Sequence, residues 1–495
     1  MTGQTIRTLA VGHVLAAPGH APPQGPSLIR IESGRIAAIE PVAAANLDST
    51  AHGLIALPAP SNAHDHGRGL RTVAFGASDD DLETWLPALA REPVIDPYLR
   101  AVVGFARMAE GGICAANHCH NTQDRRQLLA EAEGVARAAR DVGIRIAFAV
   151  PFAGRNPVVY GELEDLLALL EPEDRAALSD HRGPSRSLAE TMALVDRIAE
   201  FENDFFTVQY GPVGPQWLDD EAMTAIARAS AATGRRVHLH LFETRRQREW
   251  ADAHYEGGLI GFLDRLGLLT DRLTVAHAVW LTPDECALLA ARGVSVSVNL
   301  SSNLRLRSGL PMVDRFRAAG LGFGIGLDGM SFDDDEDMLR EIRLLWRQFR
   351  GFGGESGLSA AELFDAAAVV GRRTILGADG GGRLAVGAPA DILVLDLAEI
   401  TQDCVHDDLD ILDLLLTRMT NRHIRHLIVG GRRVLDDGRC TGVDRPALER
   451  ALIQDARRAL ADAPPDTARI GRLQRAVASF YRCGCHLKPA ARHDR

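Results

Sequence analysis

The run RRVHLHLFET (residues 235–244) is a short apolar strand that ends in polar side chains. Alternation along an extended chain puts His238 and His240 on one face, and Glu243 falls just past the strand in the following loop. The pattern differs from HExxH, which needs a helix to bring two histidines together. Working outward from this fifth strand (237–242), seven more runs of similar character occur at 54–64, 112–120, 144–152, 205–211, 273–278, 294–300 and 321–327. Helical patterns separate them, for example 221–233 before the fifth strand and 284–292 before the seventh. Strand–helix alternation favours a parallel sheet. Eight units favour a closed (β/α)8 barrel over an open doubly wound sheet. No GxGxxG follows the first strand, which argues against a dinucleotide site.

The two ends of the chain read differently. Residues 5–15, 27–32 and 35–39 are strand-like, with a Pro/Gly-rich turn at 18–26 and Ser33-Gly34 before the last. Near the other end, RLAVGAPADILVLD (383–396) and HLIVGGRRVL (426–435) are also strand-like, with Gly430-Gly431 as a tight turn. Neither set alone builds a good core, whereas together they suffice for one small β-sandwich. The expected organisation is therefore α/β: a β-sandwich from 1–56 plus 380–440, a TIM-like barrel over 57–379, and a helical C-terminal extension over 441–495. In that extension 444–461 and 467–481 read as helices around Pro464-Pro465, a cap or an oligomer contact. Cys483, Cys485 and His486 form a CxCH that could also bind a metal.

Composition narrows the function classes. With 495 residues, 46% of them hydrophobic and 24% charged, the chain is an ordinary globular protein with ample material for a core. Asp and Glu number 66 against 55 Lys and Arg, for a net charge of −11. That argues against nucleic-acid and anionic-membrane binding. Lys488 is the only lysine, so chemistry that needs a lysine in the core is excluded. Seven cysteines are too sparse for a disulfide framework, which fits a reducing compartment. The start lacks a signal-peptide core, and no uncharged apolar run approaches the ~18–20 residues of a membrane span. A cytoplasmic location is expected.

In such a barrel the active site lies at the carboxyl ends of the strands. The first strand ends in Asn62-Ala63-His64-Asp65-His66, where His64 and His66 share a side and can hold one metal. The sixth carries His277, and the eighth ends in Gly326-Leu327-Asp328-Gly329. Each alone has an ordinary structural account, as a core histidine bonded to backbone or an aspartate starting a turn. Jointly, polar residues ending strands one, five, six and eight converge on the barrel mouth.

This constellation resembles the amidohydrolase superfamily, in particular its aminohydrolase/chlorohydrolase branch of cytosine and guanine deaminases and triazine hydrolases. The resemblance runs over roughly 5–440 and includes LPAPSNAHDH, Arg68-Gly69, DLETWL (81–86), VAHAVWLTPDE, LSSNLRLRSG, GIGLDG and GRLAVGAPADILVLD. It implies His64, His66, His240 and Asp328 as metal ligands, His277 beside the activated water, and Glu243 as proton shuttle. Asp328 would share in orienting that water. Binuclear members bridge their metals from strand four, but FFTVQYG here has no lysine, which implies one divalent ion, Zn2+ or Fe2+. The chain departs from the family at Asn117-His118-Cys119-His120, where members commonly carry Asp, and at Val298-Asn299-Leu300-Ser301, where a His/Pro segment is frequent.

The chemistry implied is hydrolytic deamination of a small amino-substituted N-heterocycle (pyrimidine, purine, pterin or triazine). Water ionised on the cation would attack the ring carbon, and ammonia would leave. A Glu that cycles protons without ligating has a parallel in the unrelated zinc base deaminases. The alternative keeps the site and changes the leaving group to an alkylamine or halide, or hydrolyses a ring amide. Trp85, Gln216, Trp217, His118, His120, Asn303 and Asp333 fall in strand-end loops. Of these, Gln216, His120, His118 and Trp85 are the expected substrate contacts. A homodimer is a habit of the family.

Overall fold

The computed structural model describes residues 4–154, 158–180, 186–352, 357–406 and 408–488. Eight parallel strands follow one another in chain order around a barrel: β6 (Ser61–Asp65), β7 (Ala115–Cys119), β8 (Arg145–Phe152), β9 (Phe206–Pro212), β10 (Val237–Leu241), β11 (Leu273–His277), β12 (Ser295–Val298) and β13 (Phe323–Ile325). Helices cover their outer face, so most of these strands are buried on both sides and read as continuous apolar runs. First and last strands meet where the Asp328 N–H donates to the His64 carbonyl at 2.9 Å and the Leu327 N–H donates to Asn62 Oδ1 at 3.0 Å. That junction carries two polar residues of the site on one hydrogen-bonded pair.

Both chain ends contribute to the remaining sheets. β1 (Thr8–Val11), β3 (Ser27–Glu32) and β4 (Arg35–Pro41) form one antiparallel sheet. A six-stranded mixed sheet joins β2 (His13–Val14) and β5 (Leu54–Pro58) to β14 (Ile392–Asp396), β15 (Ile424–Val429), β16 (Arg432–Asp436) and β17 (Arg439–Cys440). The run expected as one strand over 54–64 is thus two. Pro58 and Pro60 interrupt it; the first half pairs with β14 and only the second enters the barrel. Likewise 383–391 is not strand, because Gly387 sits at φ 85° and Pro389 has no N–H to give. Gly430 and Gly431, at φ 56° and 75°, make the tight turn between β15 and β16.

β14 shows why the terminal sheet stays on the barrel. Its Leu393 and Leu395 join the barrel-side core, whereas Ile392 and Val394 face a smaller core with Val11, Ile29 and Ile428. A buried ion cluster sits at the same seam: Asp391 Oδ2 accepts from Arg145 Nη1 at 2.6 Å and from Arg372, and Asp391 Oδ1 accepts from the Gly430 N–H at 2.6 Å. We propose that 1–56 with 380–440 fold as one unit on which the 57–379 barrel depends. Asp391→Ala strands the Arg145 guanidinium and takes from Arg372 one of its two carboxylates, leaving it Asp379. It should destabilise the protein by about 3 kcal/mol, the low end of the range for breaking a buried pair. An unchanged urea midpoint by circular dichroism would reject this account of the seam.

The C-terminal helices Arg445–Asp462 and Thr467–Arg482 pack on the barrel. Gln474 Nε2 donates to the Thr84 carbonyl at 2.9 Å, and the Tyr160 N–H donates to the Tyr481 hydroxyl at 3.0 Å, so the second helix covers the loops after β6 and β8. The CxCH metal reading is overturned here. Cys483 and Cys485 are joined in a disulfide, which leaves no thiolate, and His486 faces Glu249 at 3.2 Å. No described helix is long and apolar enough to cross a membrane.

Candidate active site

The chain bends sharply at the carboxyl ends of the strands. Phe242, His277, Ala278 and Asp328 adopt φ of 47°, 70°, 49° and 62°, a region non-glycine residues enter at a cost on the order of 1 kcal/mol or more each. Backbone bonds hold two of them: Ala278 N–H to the Leu241 carbonyl at 3.0 Å, and Asp328 N–H to the His64 carbonyl. These bends turn His277 and Asp328 back over the barrel mouth, where His64, His66 and His240 already point.

Ligand atoms of His64, His240 and His277, and of His64, His66 and Asp328, each lie within 4.8 Å of one another, all on buried residues. Asp328 Oδ1 is 3.0 Å from His64 Nε2 and 3.2 Å from His66 Nε2. The other ring nitrogens are committed. His66 Nδ1–H donates to the Cys119 carbonyl and His240 Nδ1–H to the Val213 carbonyl, both at 2.8 Å. His277 Nδ1 meets Asn303 Oδ1 at 2.9 Å, and His64 Nδ1 meets His238 Nε2 at 2.7 Å. A carbonyl acceptor fixes the proton on Nδ1 and leaves Nε2 with a bare lone pair. The His66 lone pair faces the Asp328 carboxylate, an arrangement that repels itself unless a cation lies between. His64 Nε2 and His277 Nε2 are moreover buried with no hydrogen-bond partner.

Electrostatics favour the ligand forms. Burial pushes His240 well below the usual histidine range and His66 down to about 4, so both stay neutral. Burial would raise Asp328, but His64, His66 and His277 outweigh it and hold the carboxyl well below its usual value. Three imidazoles and a carboxylate fit a borderline cation such as zinc. Glu243 stands outside this set. Its Oε2 lies 3.7 Å from His277 Nε2, its Oε1 accepts from Ser308 Oγ at 3.3 Å, and its backbone N–H donates to Gln247 Oε1 at 2.7 Å. Burial pushes the Glu243 carboxyl up to about 7, against the pull of His277. It is a group that can hold or release a proton near neutrality.

The model of the amidohydrolase family matches residues 53–434. The chain belongs to the amidohydrolase family. A 5-methylthioadenosine/S-adenosylhomocysteine deaminase of Natronomonas pharaonis is 28% identical over 429 residues, covering 85% of this amidohydrolase and 90% of the relative. A solved adenosine deaminase of Xanthomonas campestris with bound zinc is 25% identical. It superposes with a TM-score of 0.73 over 92% of this chain and 98% of its own. An atrazine chlorohydrolase of Arthrobacter aurescens TC1 complexed with zinc shares the fold at 22% identity and a TM-score of 0.71, over 90% and 98% of the two chains.

The expected substrate contacts of this amidohydrolase fall in two groups. His118 and His120 are turned away from the metal group. Along β7, Asn117 faces inward, where Gln209 Nε2 donates to its Oδ1 at 2.6 Å, so His118 faces outward against Phe105 and Phe148. His118 Nε2 meets His120 Nδ1 at 3.1 Å, and His120 Nε2 meets Glu131 Oε2 at 2.8 Å, which ties the end of β7 to the helix Leu128–Val142. Trp85 and Gln216 stay at the mouth. Trp85 donates its indole N–H to the Ala77 carbonyl at 3.3 Å, and Gln216 Nε2 is buried without a partner. His238, expected on one face with His240, does lie beside the metal group, bonded to His64, whereas Cys119 and Ser302 were not foreseen there. Cys119 Sγ lies with His66 and His240, and Ser302 Oγ donates to Asp328 Oδ2 at 2.5 Å. For Cys119, the two-residue spacing from Asn117 was the available signal.

Proposed function

We propose that the protein is a mononuclear metal-dependent deaminase of an amino-substituted N-heterocycle, with adenine-type nucleosides the first candidates. The observation that carries this reading is Glu243. It is a buried carboxyl with a raised pKa, beside His277 and off the metal group. The deaminases of adenine nucleosides among its relatives support the choice of ring. His64, His66, His240 and Asp328 would hold one divalent ion, zinc before iron, and no lysine is at hand in the barrel to bridge a second. When bound, such an ion supplies ionised water near neutral pH.

The chain's own residues do the rest. His277, fixed by Asn303, and Asp328, fixed by Ser302 and the His64 carbonyl, orient the incoming water against the ring. Glu243 takes a proton on a carboxylate oxygen and returns it to the ring nitrogen, which makes the adjacent carbon susceptible to attack. Glu243, again a carboxylate, then takes the proton of the hydroxyl newly added to that carbon and passes it to the amino group, so that the carbon–nitrogen bond breaks and ammonia leaves. Burial of every one of these groups keeps bulk water from competing.

The test is ammonia release from zinc-loaded protein against 5′-methylthioadenosine, S-adenosylhomocysteine, 5′-deoxyadenosine, guanine, cytosine, pterin and melamine. Release from at least one of them, with one metal per active chain by elemental analysis, is the expected result. Turnover that requires two metals per chain would overturn the mononuclear assignment. Chloride or alkylamine release from a chloro- or alkylamino-triazine, with no ammonia from any of these compounds, would overturn deamination.

A further inference from the structure

Among the described residues four arginines are buried: Arg68, Arg100, Arg107 and Arg372, with 6%, 7%, 7% and 2% exposure. Three of them have a carboxylate. Arg100 Nε donates to Glu92 Oε1 at 2.9 Å, Arg107 pairs with Glu449, and Arg372 Nη2 donates to Asp379 Oδ2 at 2.7 Å. Arg68 has none within ion-pair distance. It donates only to neutral oxygens, Asn121 Oδ1 at 3.1 Å and the Asp328 backbone carbonyl at 3.5 Å. Its guanidinium carbon stands 5.6 Å from the centroid of the Trp85 ring.

The acids nearest to Arg68 are already engaged. Glu92 receives both Nε and Nη2 of Arg100. Asp65 accepts from Asn62 and from the Gly67 and Gly329 N–H groups. The carboxylate of Asp328 faces His64, His66 and Ser302. A buried cation without a counter-ion is costly, and the other three buried arginines avoid that cost. Arg68 lies two residues beyond His66, against the backbone of Asp328 and among Trp85 and Asn121. These are residues of the loops after β6, β7 and β13, so its missing partner belongs at the barrel mouth. Guanidinium donors match a carboxylate in a forked, two-bond geometry.

We propose that Arg68 docks a carboxylate carried by the substrate, so that the preferred substrates are acidic N-heterocycles rather than neutral ones. This rests on the reading of the site as one for amino-substituted heterocycles. Trp85, stacked beside the guanidinium, would flank the same group.

The test uses matched pairs in which one member carries a carboxylate: pterin-6-carboxylate with pterin, cytosine-5-carboxylate with cytosine, and adenosine 5′-carboxylate with adenosine. Binding is measured by calorimetry on full-length, zinc-loaded Glu243→Gln protein, where turnover does not interfere, with and without Arg68→Met or Arg68→Lys. At least one carboxylated member should bind at least about tenfold tighter than its partner. Arg68→Met should weaken that member by about 30-fold or more, as expected for truncating one side of a desolvated charge pair, and its neutral partner by less than about threefold. Arg68→Lys should fall between and also serves if the Met variant misfolds.

Equal loss for both members would make Arg68 a positioning residue only and overturn the proposal. So would the absence of any carboxylated ligand with a dissociation constant below about 1 mM. If the pairs split as expected but the active protein releases no ammonia, the deamination reading fails and the Arg68 assignment stands.

Discussion

Glu243→Gln should lower kcat by about 10²–10⁴-fold, the usual range for removing a general acid–base group, while metal content stays at the level of the unsubstituted protein. Glutamine keeps the shape of the side chain and a hydrogen bond to Ser308, but it cannot take up a proton and return it. The backbone of the turn is held independently, by Gln247 Oε1 on the residue 243 N–H and by the Thr244 hydroxyl on the Gln247 N–H at 3.2 Å. The substitution therefore leaves the surrounding geometry in place. KM should move less than kcat, because the lost interaction is realised mainly in the transition state. Loss of metal with the substitution would make Glu243 a ligand. Near-normal turnover would point to a leaving group that departs without a proton.

Much of the site's placement was legible in the residues. A strand has period two, so His64 and His66 had to share a side. Polar residues closing several strands had to meet at the mouth if those strands made a barrel. The same periodicity says that His118 and His120 lie on one face without saying which. Barrel strands are buried on both sides, so hydropathy cannot separate the lumen from the helix-facing side. Asn117, paired across the lumen with Gln209, and Cys119, gathered with His66 and His240, show that the histidines look outward. Pro58 and Pro60 were visible signs that 54–64 is broken, yet the assignment of β5 to the terminal sheet depends on pairing with β14, more than 300 residues away. The isolation of Arg68 was invisible for a similar reason. A lone arginine shows itself only once the neighbouring carboxylates are seen to be occupied.

His240→Ala should abolish metal loading rather than slow the chemistry. His240 Nε2 is one of the converging lone pairs, and its orientation is fixed from behind by the Val213 carbonyl, which accepts from both Nδ1 at 2.8 Å and the His240 backbone N–H at 3.2 Å. Strand β10 pairs with β9 at a single register position, Val237 with Tyr210, so this double bond to Val213 takes over where the ladder stops. Alanine keeps the backbone half of that bond, and the strand should remain in place. What disappears is one of three imidazoles, leaving His64 and His66 with Asp328. Losing an outer hydrogen-bond partner typically costs a site roughly 10–100-fold in metal affinity, and losing a ligand itself should exceed that. The expected readout is zinc affinity by competition with a chelator, with circular dichroism unchanged. Retention of stoichiometric zinc at unsubstituted affinity would exclude His240 from the ligand set. His277 would then replace it, as the remaining imidazole whose ligand nitrogen is gathered with His64 and His240.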